Sequence, residues 1–93
     1  MENIQPFLDD QGKIKIWPAK QQKKLAVLLY MSEKFTPGKS YTEKEVNTLI
    51  THWHTFNDLF VLRRGMVEMS FLKRTPNGSK YWRPDSPVEA SKT

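Results

Sequence analysis

The alternation of apolar and polar positions is clearest between Tyr41 and Arg64, and the rest of the chain is organised around that stretch. Val46, Leu49, Ile50 and Trp53 fall at i, i+3, i+4 and i+7, one stripe of an α-helix. Thr42-Glu43-Lys44-Glu45 in front of them is a capping box: the Thr42 hydroxyl accepts from the Glu45 amide, and the Glu45 carboxylate accepts from the Thr42 amide. Tyr41 and Val46 bracket that cap as a hydrophobic staple. Thr55 offers a second N-cap, with Asp58 at its N3 position, and Leu59, Leu62 and Met66 mark a further buried stripe. Two capped helices separated by so short a break must turn sharply on each other, as in a helix-turn-helix.

The flanking segments complete the outline. Asp9-Asp10-Gln11-Gly12 is turn chemistry, and Ile14 and Ile16 alternate with Lys13 and Lys15, so residues 7–17 read as a small hairpin or paired extended segment. Trp17 then packs on the domain as a lid. Pro18 suits the first position of a helix running from Ala19 to Phe35. Leu25, Leu28, Leu29, Ser32 and Phe35 share one face of it, and Ala26, Val27, Tyr30 and Met31 widen that face into a central helix. Thr36-Pro37-Gly38-Lys39 ends it, and residues 39–41 form a short strand. Residues 70–75 and 79–83 are strand-like runs around Pro76-Asn77-Gly78, a strong hairpin signal. Residues 84–93 read as a flexible polar tail. The expected fold is one α+β domain over residues 1–93, a winged helix (helix-turn-helix plus β-hairpin wing) at 18–83 preceded by an N-terminal β-hairpin.

Composition narrows the chemistry. Ninety-three residues with 27% charged and 38% hydrophobic side chains fit a single soluble domain. The absence of Cys removes disulfides, thiolate metal sites and a Cys nucleophile. The start of the chain lacks the basic-then-apolar pattern of a signal peptide, and no apolar run nears a bilayer-spanning length, so a cytoplasmic protein without a membrane partner is the expectation. The net charge of +5 is uneven. Lys13, Lys15, Lys20, Lys23 and Lys24 precede Ser32 with no acid between Gln11 and Ser32, and Arg63, Arg64, Lys73, Arg74, Lys80 and Arg83 face Glu68 alone between Leu59 and Arg83. Such an excess either attracts a phosphate polymer or forms an ordinary solvated face.

No nucleophile elbow or Gly-rich phosphate loop is present, so no enzyme activity and no cofactor are expected. His52 and His54 sit two apart and point apart on a helix. Asp58 could join His54 as a ligand, but no third group completes a metal site. His54 therefore reads as a surface or cap residue. On the third helix the outward face is Asn57, Val61, Arg64, Gly65 and Glu68, of which Asn57 and Arg64 could reach base edges. Arg63 points inward, towards a carboxylate such as Glu45 or Asp58. Lys73, Arg74, Lys80 and Arg83 surround the hairpin turn, and a basic β-ribbon can follow a phosphate backbone. Tyr81 and Trp82 read as one core residue and one half-exposed packer. Lys20, Lys23 and Lys24 sit at the start of the central helix, the wrong sign for its dipole, so they form an anion site with the free amides or a solvated lysine face.

Ile16-Trp17-Pro18-Ala19-Lys20, Tyr41 to Asn47, Asp58 with Leu62-Arg63-Arg64, and Arg74 leading to Gly78 and Tyr81-Trp82-Arg83 resemble the prokaryotic domain of unknown function 2087. The resemblance runs over about residues 7–83. That family occurs as short stand-alone proteins and as a domain attached to regulator-type helix-turn-helix modules, so the resemblance implies a link to transcription and no established activity. Gly65 departs from the family's pattern and is a weak point in the third helix. The functional expectation is weak DNA binding in transcription regulation, with DNA or a regulator protein as partner. The alternative is a protein-interaction or small-anion-sensing module that does not touch DNA.

Overall fold

The computed structural model describes residues 3–84, so the polar tail expected beyond Pro84 lies outside the described residues. A short 3-10 turn at Gln5–Phe7 leads to α1 (Gln21–Ser32), β1 (Ser40–Tyr41), α2 (Glu43–His52), α3 (Leu59–Glu68), β2 (Lys73–Arg74) and β3 (Tyr81–Trp82). The fold is α+β. The three strands form one antiparallel sheet in the order β1-β3-β2, with Tyr41 and Arg74 both opposite Tyr81. α3 packs on both α1 and α2, and the core between them holds Val27, Leu28, Met31 and Phe35, Val46 and Ile50, and Leu62 and Met66. Ile14, Tyr41, Leu72 and Tyr81 close it from the loops and the sheet.

The capping box forms as the sequence predicts. Glu45 N donates to Thr42 Oγ1 at 3.1 Å, and Thr42 N donates to Glu45 Oε1 at 2.8 Å. That second bond, given by the Thr42 amide, holds the Glu45 carboxyl below its ordinary range. The second cap is not Thr55. Asp58 takes that place, its Oδ1 accepting from Val61 N at 3.3 Å. Thr55 is committed elsewhere: its amide donates to Ile14 O at 2.9 Å while Ile14 N donates to Trp53 O at 2.8 Å. Asn57 then takes a left-handed turn, φ 55°, and the helix begins only after it.

His54 is not a surface residue. It is buried at the turn between the helices, and its two ring nitrogens have different partners. Nδ1 lies 2.7 Å from Ile50 O, and Nε2 accepts from Asp58 N at 3.0 Å. A carbonyl can only accept and an amide can only donate, so the ring is the neutral tautomer protonated at Nδ1. The edge of Phe56 covers it, with ring centroids 4.8 Å apart.

Three other segments depart from expectation for local reasons. The hairpin expected at 7–17 contracts to one antiparallel bridge, Leu8 with Ile14, because Asp9 Oδ1 binds the amides of Gln11 and Lys13 and Ile14 turns to pair with His54. The central helix is shorter than 19–35. Pro18 precedes it, Lys20 is its N-cap without a side-chain bond, and Lys34 and Phe35 close it with i→i−3 bonds to Met31 and Ser32. The strand expected from Ser70 starts at Lys73, since Phe71 N and Leu72 N still bond back to Met66 O and Ser70 is left-handed, φ 60°.

Gly65 does not face outward. A Cβ there would sit 2.9 Å from both methyl carbons of Leu28, so its missing side chain is what lets α1 close on α3. Arg63 does point inward, but its partners are on α2: Nη1 donates to Asn47 Oδ1 at 2.6 Å and lies 3.8 Å from Glu43 Oε1. Glu45 and Asp58 are unavailable to it because each carboxylate caps its own helix.

Two stability predictions follow from these contacts. Arg63→Ala should cost ~1–2 kcal/mol in urea unfolding by stripping Asn47 and Glu43 of their donor, whereas Arg64→Ala should stay within ~0.5 kcal/mol of the wild type. Equal losses would remove the structural role of Arg63. The lowered Glu45 carboxyl contributes stability above the ordinary glutamate range, and that contribution is lost as pH falls through its folded value. The stability gap between the wild type and Glu45→Gln should therefore close on acidification, and a gap that is constant with pH would contradict the capping-box account.

Candidate functional site

A polar concavity lies between α3 and the β2–β3 hairpin. It is a cleft of about 230 Å³ lined by Phe60, Arg63, Arg64 and Glu68 from α3 and by Arg74 and Tyr81 from the strands. The helix supplies its wall by simple periodicity: Phe60, Arg64 and Glu68 lie at i, i+4 and i+8 and are exposed, while Leu62 and Met66 turn to the core. Phe60 is 61% exposed, the most accessible large apolar side chain among the described residues. The Arg63 guanidinium stacks near its ring, 5.1 Å from the centroid.

The hairpin holds the opposite wall by binding itself. Gly78 N donates to Thr75 O at 2.9 Å across Pro76-Asn77, and Thr75 N donates to Lys80 O at 3.0 Å. The Thr75 hydroxyl accepts from the amides of Ser79 and Lys80 and donates to Asn77 Oδ1. Gly78 is left-handed, φ 73°, and a Cβ on it would meet the Arg74 guanidinium at 3.0 Å. That guanidinium is folded back onto the turn. Nε donates to Thr75 O and Nη2 to Pro76 O, both at 3.2 Å, and its carbon lies 5.6 Å from the Tyr81 ring centroid.

Glu43 joins the two walls from behind. Its Oε1 accepts from the Tyr81 hydroxyl at 3.0 Å and lies 3.8 Å from Arg63 Nη1. Burial pushes the Tyr81 hydroxyl above its ordinary value, and the bond to Glu43 adds to the effect. The cleft thus has three guanidiniums in its walls, with Glu68 on its lip and Glu43 beneath. It can bind the edge of an anion.

The residues expected from sequence scatter around this cleft. Arg64 and Arg74 line it, together with Arg63. Asn57 lies in the turn before α3 rather than on the helix. Lys80 is exposed on the hairpin loop, and Lys73 sits on β2 opposite Trp82, engaged in interactions of its own. Arg83 is held inward, Nη1 donating to Phe35 O at 2.9 Å, so it ties the end of the sheet to α1. Tyr81 is buried and Trp82 half-buried, as expected. None of Lys20, Lys23 and Lys24 lines the cleft. Lys24 lies over the Trp17 ring at 5.8 Å, Lys23 is engaged, and Lys20 is exposed at the α1 N-cap.

Phe60 is the site residue that the sequence reading missed. Its spacing of four from Arg64 and eight from Glu68 was the available signal. Among the described residues no three His, Cys, Asp or Glu side chains converge to hold a metal, and no described helix is long and apolar enough to cross a membrane.

Residues 13–83 match the family described as an uncharacterized protein conserved in bacteria, DUF2087. No curated protein and no solved structure matches the chain. The matched span runs from Lys13 past β3, so it takes in the His54 turn and both walls of the cleft. The chain belongs to the DUF2087 family of uncharacterised bacterial proteins.

Proposed function

We propose that this chain is a non-catalytic winged-helix domain that binds nucleic acid weakly, with α3 as the helix presented to the duplex and the β2–β3 hairpin as the wing. The element order supports the winged-helix reading: a helix, a short strand, a sharply turned helix pair, then a hairpin whose second strand pairs with the first strand. The observation that carries the functional reading is the shared cleft, where Arg64 and the exposed Phe60 of α3 stand beside Arg63 and Arg74. Arg64 is of the type that reads guanine or a phosphate, and an exposed Phe suits apolar contact with a thymine methyl. The tie to transcription regulation comes from the family resemblance.

The same geometry limits the affinity. Arg63 and Arg74 are largely spent on protein acceptors, Arg83 is tied to Phe35, and Glu68 repels phosphate at the cleft's lip. Arg64 and Lys80 carry the attraction. A second reading, an interaction module, is favoured by the apolar groove along α1.

Fluorescence anisotropy with a labelled random duplex at two salt concentrations tests the nucleic-acid reading. Binding should be no tighter than ~10⁻⁶ M near physiological salt, with log K falling by roughly 0.9 per log unit of salt for each phosphate neutralised. Arg64→Ala and Lys80→Ala should each lower that slope by about one, whereas Arg83→Ala should lower the melting temperature and leave the slope alone. No binding even at low salt would overturn the reading.

A further inference from the structure

α3 carries one ring that the core does not use. Leu62 is buried in the core and Leu59 and Val61 pack against it, whereas Phe60 stands 61% exposed at the α3–hairpin cleft. A lone exposed apolar side chain is ordinary, but this one has charged company. The Arg63 guanidinium lies 5.1 Å from the ring centroid and is itself fixed, Nη1 donating to Asn47 Oδ1 at 2.6 Å. The ring therefore has a held cation on one face and is otherwise open to solvent. Tyr81, the other ring lining the cleft, is buried and has no face to offer. One turn beyond Phe60, Arg64 is exposed, and its guanidinium has no hydrogen bond or ion pair to another described residue.

We propose, resting on the nucleic-acid reading above, that Phe60 and Arg64 together hold one unpaired nucleotide, its base stacked on the ring and its phosphate on the guanidinium. Side chains at i and i+4 of a helix start about 5–6 Å apart. That spacing lets a ring and a guanidinium engage the base and the phosphate of the same nucleotide. Pairing decides which nucleic acid can use them. In a duplex each base face is covered by its neighbours, and only edges and the thymine methyl reach a groove. A single strand can turn a base face to the ring, and every base has such a face. The supply of charge points the same way. Non-specific duplex binding depends on the number of phosphates neutralised. Of the cleft's guanidiniums, those of Arg63 and Arg74 are engaged with protein acceptors, which leaves Arg64. Glu68, one turn beyond Arg64, repels a further phosphate along the helix. Stacking supplies affinity without a row of cations.

Fluorescence anisotropy at low salt, on the full chain, compares three labelled probes. They are a thymidine strand of about twelve nucleotides, an abasic strand with the same number of phosphates, and a random duplex. The two strands carry equal charge and differ only in their bases, so the thymidine strand should bind about ten-fold tighter. Phe60→Ala, with its fold checked by circular dichroism, should bring that ratio to about one. Phe60→Leu, apolar but without a π-face, should lower it likewise, and Phe60→Trp should keep it. Arg64→Ala should weaken both strands alike and leave the ratio. A wild-type ratio near one overturns the proposal, and duplex binding in the same experiment then shows that the nucleic-acid reading survives. A ratio that persists in Phe60→Ala overturns it equally, because the bases would be stacking elsewhere. No binding to any of the three probes overturns the nucleic-acid reading itself, and the proposal with it.

Discussion

The imidazole of His54 ties the end of α2 to the start of α3. It adds a side-chain bond at Ile50 O, which also accepts from Trp53 N at 3.1 Å, and it supplies the acceptor for Asp58 N. The amides that open a helix have no partner within their own element. The ring is buried, so either of its nitrogens left unmatched would cost ~1–3 kcal/mol. Ile14 completes the arrangement by bonding to Trp53 O and Thr55 N on either side of it. The turn is thereby fixed from inside by a side chain and from outside by a strand-like segment. The angle between α2 and α3 follows from it.

The remainder depends on where that angle puts α3. Gly65 meets Leu28 only if the helix lies across α1 in this orientation, and Arg63 reaches Asn47 only if it leans on α2. Strands of two residues cannot hold a sheet by their own ladder. β3 stays in place because Tyr81 is buried and bonded to Glu43, and because Arg83 is tied to Phe35. Glu43 therefore links the helix pair to the hairpin. The cleft with Phe60, Arg64 and Arg74 is a consequence of these ties, and its walls keep their spacing because each is anchored behind the surface.

How far these features can be read from sequence follows the range of the interaction. Thr42 and Glu45 are three residues apart, so their capping box is a local event and was legible, as were the Asn77-Gly78 turn and the stripe from Val46 to Ile50. The second cap was misassigned because Thr55 and Asp58 are both good N-cap residues. What decides between them is Asn57, whose left-handed φ of 55° interrupts any helix started at Thr55, so that the helix begins behind Asp58. For His54, which the sequence leaves as a surface or cap residue, the cap alternative is the one that forms. Nothing nearby in sequence shows that its two nitrogens find a carbonyl and an amide in a buried turn. Gly65 looked like a defect in a helix because the methyls that need its space belong to α1. The basic residues were countable, but their availability was not. Arg83 and Arg74 bind carbonyls of the chain itself, which leaves Arg64, with the overlooked Phe60, as the cleft's outward chemistry.

The account therefore stands on the state of one ring. Long-range ¹H–¹⁵N correlation NMR of the imidazole nitrogens, at a pH of ~8 where an ordinary histidine is neutral, reads that state directly, with the exposed His52 as an internal reference. His54 should be a single tautomer, protonated at Nδ1, with Nε2 carrying the signature of an acceptor. A His54 ring protonated at Nε2, or one averaging between tautomers like His52, would contradict the claim that this side chain sets the turn.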